Sequence, residues 1–286
     1  MNHKNVMINI CIIKPNNYIH SLAYLEIAEL LHYSILDLKK KSKITYNFID
    51  INSKVTNIIF GAHLLNDEMI NSLPGNTIIF NTEQIESINE VWKKRILLLA
   101  KKEIIFWDYS EHNLKFLLNK LDIKGKLFEI GFQKNLQRIE TKEKKEVDVL
   151  FYGSMNNRRE KIINNLLKKN VKVKCLFGVY GKERDDWIAT SKLVLNLHFY
   201  DSKIFEIVRV FYLLINAIPV VSEIDNHTKF NNNYLKGIKK SNYENIERNI
   251  FDLLEDENER KSIGINGMNS IKKYPQINFT KSILNL

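Results

Sequence analysis

Short, wholly apolar runs alternate with longer amphipathic stretches through the first half of the chain. The run Val6 to Ile13 meets a Lys14-Pro15-Asn16-Asn17 break. From about Ser21 to Leu38, residues Leu22, Leu25, Ala28, Leu31, Ile35 and Leu38 then recur at three- and four-residue spacing. That pattern predicts a strand, a loop and a helix with one buried stripe. Apolar runs at Ile44 to Ile49, Asn57 to Phe60, Thr77 to Phe80, Glu103 to Trp107 and Leu127 to Ile130 predict further strands, and helical periodicity covers Ser87 to Leu99 and His112 to Leu121. Strands that are apolar throughout belong to parallel sheets covered on both faces, so the first half predicts a doubly wound α/β domain.

Between Gln137 and Glu146 the pattern stops in a charged stretch with a single apolar residue, which predicts a surface linker. It then restarts. Strands are expected at Val147 to Tyr152, Val171 to Phe177, Leu193 to Leu197 and Pro219 to Ser222, with helices at Arg159 to Lys169, Lys182 to Thr190 and Ile204 to Leu214. The tail from Tyr243 is mainly helical, and Pro275 sets off a last segment, Gln276 to Leu286, free to cross back to the first domain. The expected division is residues 1–145, a second α/β domain at 146–274, and a terminal helix at 275–286.

Composition narrows the class. At 286 residues, 44% hydrophobic and 27% charged, the chain has the make-up of an ordinary globular protein with room for two cores. No apolar run approaches the roughly 20 residues that span a bilayer, and the N-terminus lacks the layout of a secretory signal, so the expected location is the cytoplasm. Cys11 and Cys175 both lie in apolar runs and are expected as buried core thiols, neither paired nor metal-bound. The formal charge of +10 suits an anionic partner, yet the lysines are scattered rather than gathered into the stripe that nucleic-acid binders show.

The candidate chemistry sits at strand ends of the second domain. The strand at Val147 to Tyr152 runs into Gly153-Ser154-Met155-Asn156-Asn157-Arg158-Arg159 and then a helix. A glycine there admits close backbone approach, a helix N-terminus favours an anion, and Arg158 and Arg159 can add bidentate phosphate contacts; the alternative is a tight turn with solvated arginines. Leu176-Phe177-Gly178-Val179-Tyr180-Gly181 is a second strand-end loop, whose Gly178 or Tyr180 could meet a base, or where Tyr180 simply packs. The densest stretch is Asn196-Leu197-His198-Phe199-Tyr200-Asp201-Ser202-Lys203-Ile204-Phe205-Glu206-Ile207-Val208-Arg209, followed later by Pro219-Val220-Val221-Ser222-Glu223. Glu206 and Arg209, three apart on a predicted helix, either pair with one another or present a carboxylate and a guanidinium to a ligand. A carboxylate there would accept sugar hydroxyls, and Lys203 or Arg209 would neutralise diphosphate.

In this order of motifs the stretch from Val147 to Glu223 resembles the donor-binding domain of GT-B glycosyltransferases of the group-1 kind. The resemblance implies two Rossmann-like, doubly wound domains facing a cleft, and transfer of a sugar from a nucleotide-sugar donor to a hydroxyl acceptor, in glycan or polysaccharide synthesis. It implies Glu206 at ribose or sugar hydroxyls, Gly153 and Arg158 at the diphosphate, and the loop from Gly178 to Gly181 at the base. Two glutamates eight apart are usual in that family. Here the first position falls on His198, a departure from the pattern.

Acceptor-side catalytic groups are then expected from the first domain, just beyond its strands: His20, Glu83 and Asp108, for each of which helix capping or surface exposure is the alternative. His63 and His112 are expected as surface or packing residues. With no Asp-x-Asp cluster, no cofactor or metal is expected, and basic groups would stabilise the leaving diphosphate. Two rivals are a sugar-transferring enzyme acting on nucleic-acid bases, for which the basic charge would matter, and a non-catalytic nucleotide-binding scaffold.

Overall fold

The computed structural model describes residues 7–230 and 237–285. Val6 and Leu286, at the ends of two expected segments, lie outside the described residues. The chain divides into two compact units, one of residues up to Gln133 together with those from Gln276 onward, the other of Lys134–Pro275.

The first unit runs β1 (Ile8–Ile12), α1 (Leu25–Asp37), β2 (Ser42–Thr45), β3 (Thr56–Phe60), α2 (Asp67–Ser72), β4 (Thr77–Asn81), α3 (Glu90–Lys101), β5 (Ile105–Asp108), α4 (Glu111–Leu121) and β6 (Gly125–Leu127). Its sheet is parallel throughout, in the order β2-β1-β3-β4-β5-β6. β1 and β4 are buried at every position, which is why their sequences show no alternation. Cys11, Ile59, Ile79 and Phe106 pack with Ile70, Trp92, Ile96, Leu99 and Leu117 of α2, α3 and α4. Ile10, Ile12, Ile58 and Phe60 alternate with those core residues along their strands and so point to the opposite face of the sheet.

The second unit runs β7 (Val147–Tyr152), α5 (Asn157–Lys168), β8 (Val173–Leu176), α6 (Gly181–Ala189), β9 (Ser191–Asn196), α7 (Ile207–Ile215), β10 (Val220–Glu223), β11 (Ile238–Ser241), α8 (Ile246–Glu255) and α9 (Glu257–Ile271). Its sheet is parallel in the order β11-β10-β9-β7-β8. Val149, Phe151, Leu193, Leu195 and Val221 pack against Ile162, Ile163 and Leu166 of α5 and Ile246, Ile250 and Leu253 of α8. The final helix, α10 (Gln276–Ile283), belongs to the first unit. There Gln276 accepts from Gly131 N at 2.6 Å, and Thr280 shares a 2.7 Å hydroxyl bond with Ser34 of α1.

Several local features differ from the sequence reading. The strand expected at Ile44 to Ile49 is β2, earlier by several residues, with a 3-10 turn over Phe48–Asp50; the strand expected at Leu127 to Ile130 is β6, also shifted. Both are sheet edges, where pairing with one neighbour sets the register and the apolar run alone does not. The expected helix from Ser21 opens as a 3-10 turn over Ile19–Tyr24, and α7 begins after Glu206 rather than at Ile204. α2 is too short for a period to show, and the polar β11 is an edge strand half open to solvent. Cys11 is buried as expected, but Cys175 is exposed, because β8 is the outer strand of its sheet.

The charged stretch after the first unit is fastened to the second. The backbone amides of Arg138 and Ile139 both donate to Asn216 Oδ1 at 2.8 Å, and Arg138 Nε donates to the Tyr212 hydroxyl at 2.9 Å.

Candidate functional site

In both sheets the strand order reverses once, between β1 and β3 in the first and between β7 and β9 in the second. Loops leaving the carboxyl ends of such neighbours run apart and leave a crevice, the usual place for a ligand in a doubly wound sheet.

At the second sheet's reversal, Gly153 follows β7 with φ of 134°, and a Cβ there would lie 2.9 Å from Arg209 Nη2. The glycine is thus needed twice, for its backbone angle and for the guanidinium it touches. Arg209 comes from the first turn of α7, lies 5.5 Å from the centre of the Tyr152 ring, and donates to Asn196 Oδ1 at 3.3 Å. Among the described residues it makes no ion pair with Glu206, although the two stand three positions apart.

Glu206 is buried just before α7 and is held from the β9 side. Asn196 Nδ2 donates to its Oε2 at 2.9 Å, and His198 Nδ1 lies 3.1 Å from its Oε1. Burial pushes this carboxyl up, but the His198 bond, the His198 and Arg209 charges and the Asn196 bond outweigh it, and the net direction is down. Glu206 therefore stays ionised at neutral pH. His198, eight residues before Glu206, also meets Thr228 Oγ1 through Nε2 at 3.1 Å. That hydroxyl accepts from Asp225 N at 3.0 Å, so the loops after β9 and β10 are joined over the sheet edge.

The other basic residues are committed within the fold. Both terminal nitrogens of Arg158 bond the carboxylate of Glu223, which is fully buried at the end of β10, and its guanidinium lies 3.9 Å from the centre of the Tyr243 ring. Arg159, also buried, donates to the backbone oxygens of Ser154, Leu197 and His198, filling the carbonyl ends that β9 leaves open. Lys203 pairs with Asp225 at 2.6 Å, and the hydrogen bond from Lys203 is the main cause holding the Asp225 carboxyl at about 2. Ser154 is exposed in the loop after β7. Gly178 and Gly181 take left-handed φ of 72° and 58°, and half-buried Tyr180 stands at the N-cap of α6 without a side-chain capping bond.

On the first unit the three expected acceptor-side residues separate. His20 is half-exposed in the 3-10 turn after β1, its ring 5.4 Å from that of Tyr18. Glu83 follows β4 with its side chain 28% exposed. Asp108 ends β5 with no exposure at all, accepting from Asn81 Nδ2 at 2.7 Å, Ser110 N at 2.8 Å and Asn113 Nδ2 at 3.1 Å. Asn81 and Asn113 each also donate to the backbone oxygen of Glu83 at 2.8 Å. Asp108 thus shapes the loop that carries Glu83 and reaches no surface. The N-cap of α4 is Ser110.

Burial pushes the Asp108 carboxyl from 3.8 up to about 8, against the pull of its hydrogen bonds. Between these two values the unfolded chain ionises at this position while the folded chain keeps its proton, so the Asp108 contribution to stability falls as pH rises and levels off above about 8. Asp225 and Glu206, whose carboxyls are lowered, act in the opposite sense, so the expected result is comparative. Between about pH 5 and pH 8, Asp108→Asn should lose less stability than the wild-type chain in urea unfolding, and parallel curves would contradict it.

Of the residues expected to bind a donor, the structure brings Gly153, His198, Glu206 and Arg209 together, and sequence reasoning did not single out Asn196, Thr228 and Glu223, which hold them. The signal for two of them was present: Asn196 and Glu223 are polar residues at the ends of apolar strands.

No family model matches the chain. Among curated proteins it is 31% identical over 186 residues to the uncharacterized protein L138 of Acanthamoeba polyphaga mimivirus, covering 62% of this chain and 20% of that one. With the uncharacterized protein L140 of the same virus the identity is 27% over 227 residues, covering 76% and 69%. The chain therefore spans about a fifth of the length of L138. Among solved structures it is similar to sucrose-phosphate synthase from Thermosynechococcus elongatus, at a TM-score of 0.60 and 7% identity over 98% of each chain. T4 phage BGT, solved with UDP and Mn2+, gives 0.60 and 11% over 98% of each, and Anabaena HepE, solved with UDP-glucose, gives 0.59 and 10% over 98% and 99%.

The chain has the GT-B fold. A GT-B chain carries two parallel Rossmann-like sheets, here of six and five strands. At identities this low the agreement lies in backbone course, so the side chains just described are features of this GT-B chain in their own right. Among the described residues no helix is long and apolar enough to cross a membrane, and no group of three His, Cys, Asp or Glu side chains is placed to hold a metal ion.

Proposed function

We propose that this protein is a glycosyltransferase that moves a sugar from a nucleotide-sugar donor to a hydroxyl of a glycan acceptor. The observation carrying this reading is the meeting of Gly153, Arg209 and the ionised Glu206 at the second sheet's strand-order reversal. A glycine gives a diphosphate close approach to backbone, a guanidinium matches its oxygens in bidentate fashion, and a carboxylate accepts sugar or ribose hydroxyls. HepE and BGT, which share the fold, were solved with UDP-glucose and with UDP, in keeping with a nucleotide ligand of this kind.

In the reaction, the bond between the anomeric carbon and the diphosphate oxygen breaks, and its electron pair leaves with the nucleoside diphosphate. Arg209 stabilises that charge, which makes it the main diphosphate cation in place of Arg158 and Lys203, whose charges Glu223 and Asp225 already balance. The loop from Gly178 to Tyr180, beside Gly153 across the β7 and β8 pair, is assigned to the base. The acceptor is taken on the first unit, around the Glu83 loop. No metal is required, since the cationic role falls to Arg209.

A panel of nucleotide-sugars screened by thermal shift on the whole chain tests the reading. A true donor at 100 times its dissociation constant adds about 2.7 kcal/mol of stability. Release of nucleoside diphosphate from that donor should continue in EDTA. A chain that binds no nucleoside diphosphate would rule the reading out, and activity lost to EDTA and restored by magnesium or manganese would rule out its metal-free form.

A further inference from the structure

Guanidinium groups and tyrosine rings alternate in a row across the second unit. The Arg138 guanidinium lies 5.4 Å from the centre of the Tyr212 ring, that of Arg184 lies 5.2 Å from Tyr212 and 5.7 Å from Tyr152, and that of Arg209 lies 5.5 Å from Tyr152. The row starts in the charged stretch fastened to this unit, passes through α7 and α6, and ends at the carboxyl end of β7 beside Gly153. Of its members, Arg209 alone has a part in the reaction as described so far.

The inner part of the row is pinned by hydrogen bonds. Asp185 accepts from Arg184 Nη2 at 3.0 Å and from the Tyr212 hydroxyl at 2.6 Å, and Arg138 Nε donates to that same hydroxyl at 2.9 Å. Arg184 and Tyr212 are both buried, and close packing leaves neither room to turn. Arg209, at the outer end, is held differently from the other arginines of the site. Arg158 is bonded to Glu223 and Arg159 to three backbone oxygens, whereas among the described residues Arg209 has one hydrogen bond, to Asn196 Oδ1 at 3.3 Å, and no carboxylate partner.

We propose that Tyr152 is the positioning residue for Arg209, keeping its guanidinium over the ring and its fork against Gly153 before a ligand arrives. The assignment rests on the glycosyl-transfer reading above and names what preorganises its diphosphate cation. The fork does end at that glycine: a Cβ on Gly153 would lie 2.9 Å from Arg209 Nη2. A long side chain with one weak hydrogen bond spreads over several rotamers unless a surface supports it. The half-buried Tyr152 ring is that surface, and the ring is itself held by Arg184, whose charge Asp185 balances.

A ring suits this task better than a carboxylate does. The negative face of an aromatic ring attracts a guanidinium without occupying its N–H groups, so the fork stays available for phosphate oxygens. An ion pair would fix the side chain equally well but would spend those donors and cancel the charge, as Glu223 does for Arg158. Where one rotamer alone can bind, apparent affinity falls in proportion to the population of that rotamer. Removing the ring therefore weakens diphosphate binding through Arg209, without removing any group that touches the diphosphate.

Two measurements on the whole chain test this. Isothermal titration of the wild type with UDP, GDP, ADP, CDP and dTDP first selects the tightest nucleotide. Tyr152→Leu should weaken that nucleotide about 2- to 30-fold, whereas Tyr152→Phe, which keeps the ring, should stay within about twofold of wild type. On an Arg209→Ala background Tyr152→Leu should cost nothing further, because no guanidinium is left to place. Unchanged affinity in Tyr152→Leu, an equal loss in Tyr152→Phe, or an equal loss on both backgrounds overturns the proposal. Tyr152→Ile, β-branched and suited to a strand, replaces Tyr152→Leu if that variant fails to fold. The second measurement needs no ligand. The Arg209 Nε–H resonance in NMR carries the ring-current shift of Tyr152, so it should move in Tyr152→Leu and not in Tyr152→Phe; a resonance that stays in place overturns the contact. A wild-type chain that binds none of the five nucleotides overturns the transfer reading instead, and the resonance then decides the role of Tyr152.

Discussion

Arg209→Ala is expected to weaken nucleoside diphosphate binding by about 10² to 10⁴-fold while leaving the melting temperature nearly unchanged. A guanidinium facing a diphosphate makes two charge-assisted hydrogen bonds, each worth about 1.5 to 3 kcal/mol, and every 1.4 kcal/mol is about tenfold in affinity. Little stability should be lost, because Arg209 is half-exposed and its hydrogen bond to Asn196 Oδ1 is long, at 3.3 Å. Arg209→Lys should fall between the two, since an ammonium keeps the charge but not the fork. Isothermal titration with UDP and a melting curve on the same preparation decide the matter. Unchanged affinity, or a collapse in stability with affinity intact in the folded fraction, would make Arg209 a structural residue.

The opposite balance is expected at Glu223. Its carboxylate has no exposure, holds both terminal nitrogens of Arg158, and accepts from His198 N at 3.1 Å. Glu223→Ala leaves a buried amide without an acceptor and a guanidinium without its counter-charge. Breaking a buried pair costs about 3 to 5 kcal/mol, and the lower end applies here because water can reach part of Arg158, whose side chain is 30% exposed. Glu223→Gln, which keeps the shape and one acceptor oxygen, should cost distinctly less. Urea unfolding of the two variants measures this, and a Glu223→Ala protein as stable as the wild type would show that the pair contributes nothing.

These two residues mark how far the sequence could be read. Arg209 was visible as one half of a Glu206 and Arg209 pair at helical spacing, but not which way either would turn. The structure separates them: α7 starts at Ile207, which leaves Glu206 before the helix and bonded to Asn196 and His198 of the preceding strand, while Arg209 leans on Gly153. Arg158 and Lys203 looked like free phosphate ligands because their partners, Glu223 and Asp225, lie 65 and 22 residues further along the chain. Asp108 was legible as a polar strand end, whereas its complete burial depended on Asn81 and Asn113 arriving from neighbouring elements.

The sequence by itself determined the class of this protein: wholly apolar strands alternating with amphipathic helices, in two successions, whose periods record which faces are buried. It determined that glycine and polar residues stand at strand ends, since those are properties of local order along the chain. Strand order, and with it the reversals between β1 and β3 and between β7 and β9, came only from the tertiary structure. So did the choice of which charges are neutralised inside the fold and which face outward. The physical reason is range: helix and strand periods are set within a few residues, whereas an ion pair or a crevice is set by groups that only long-range packing brings within a few ångströms of one another.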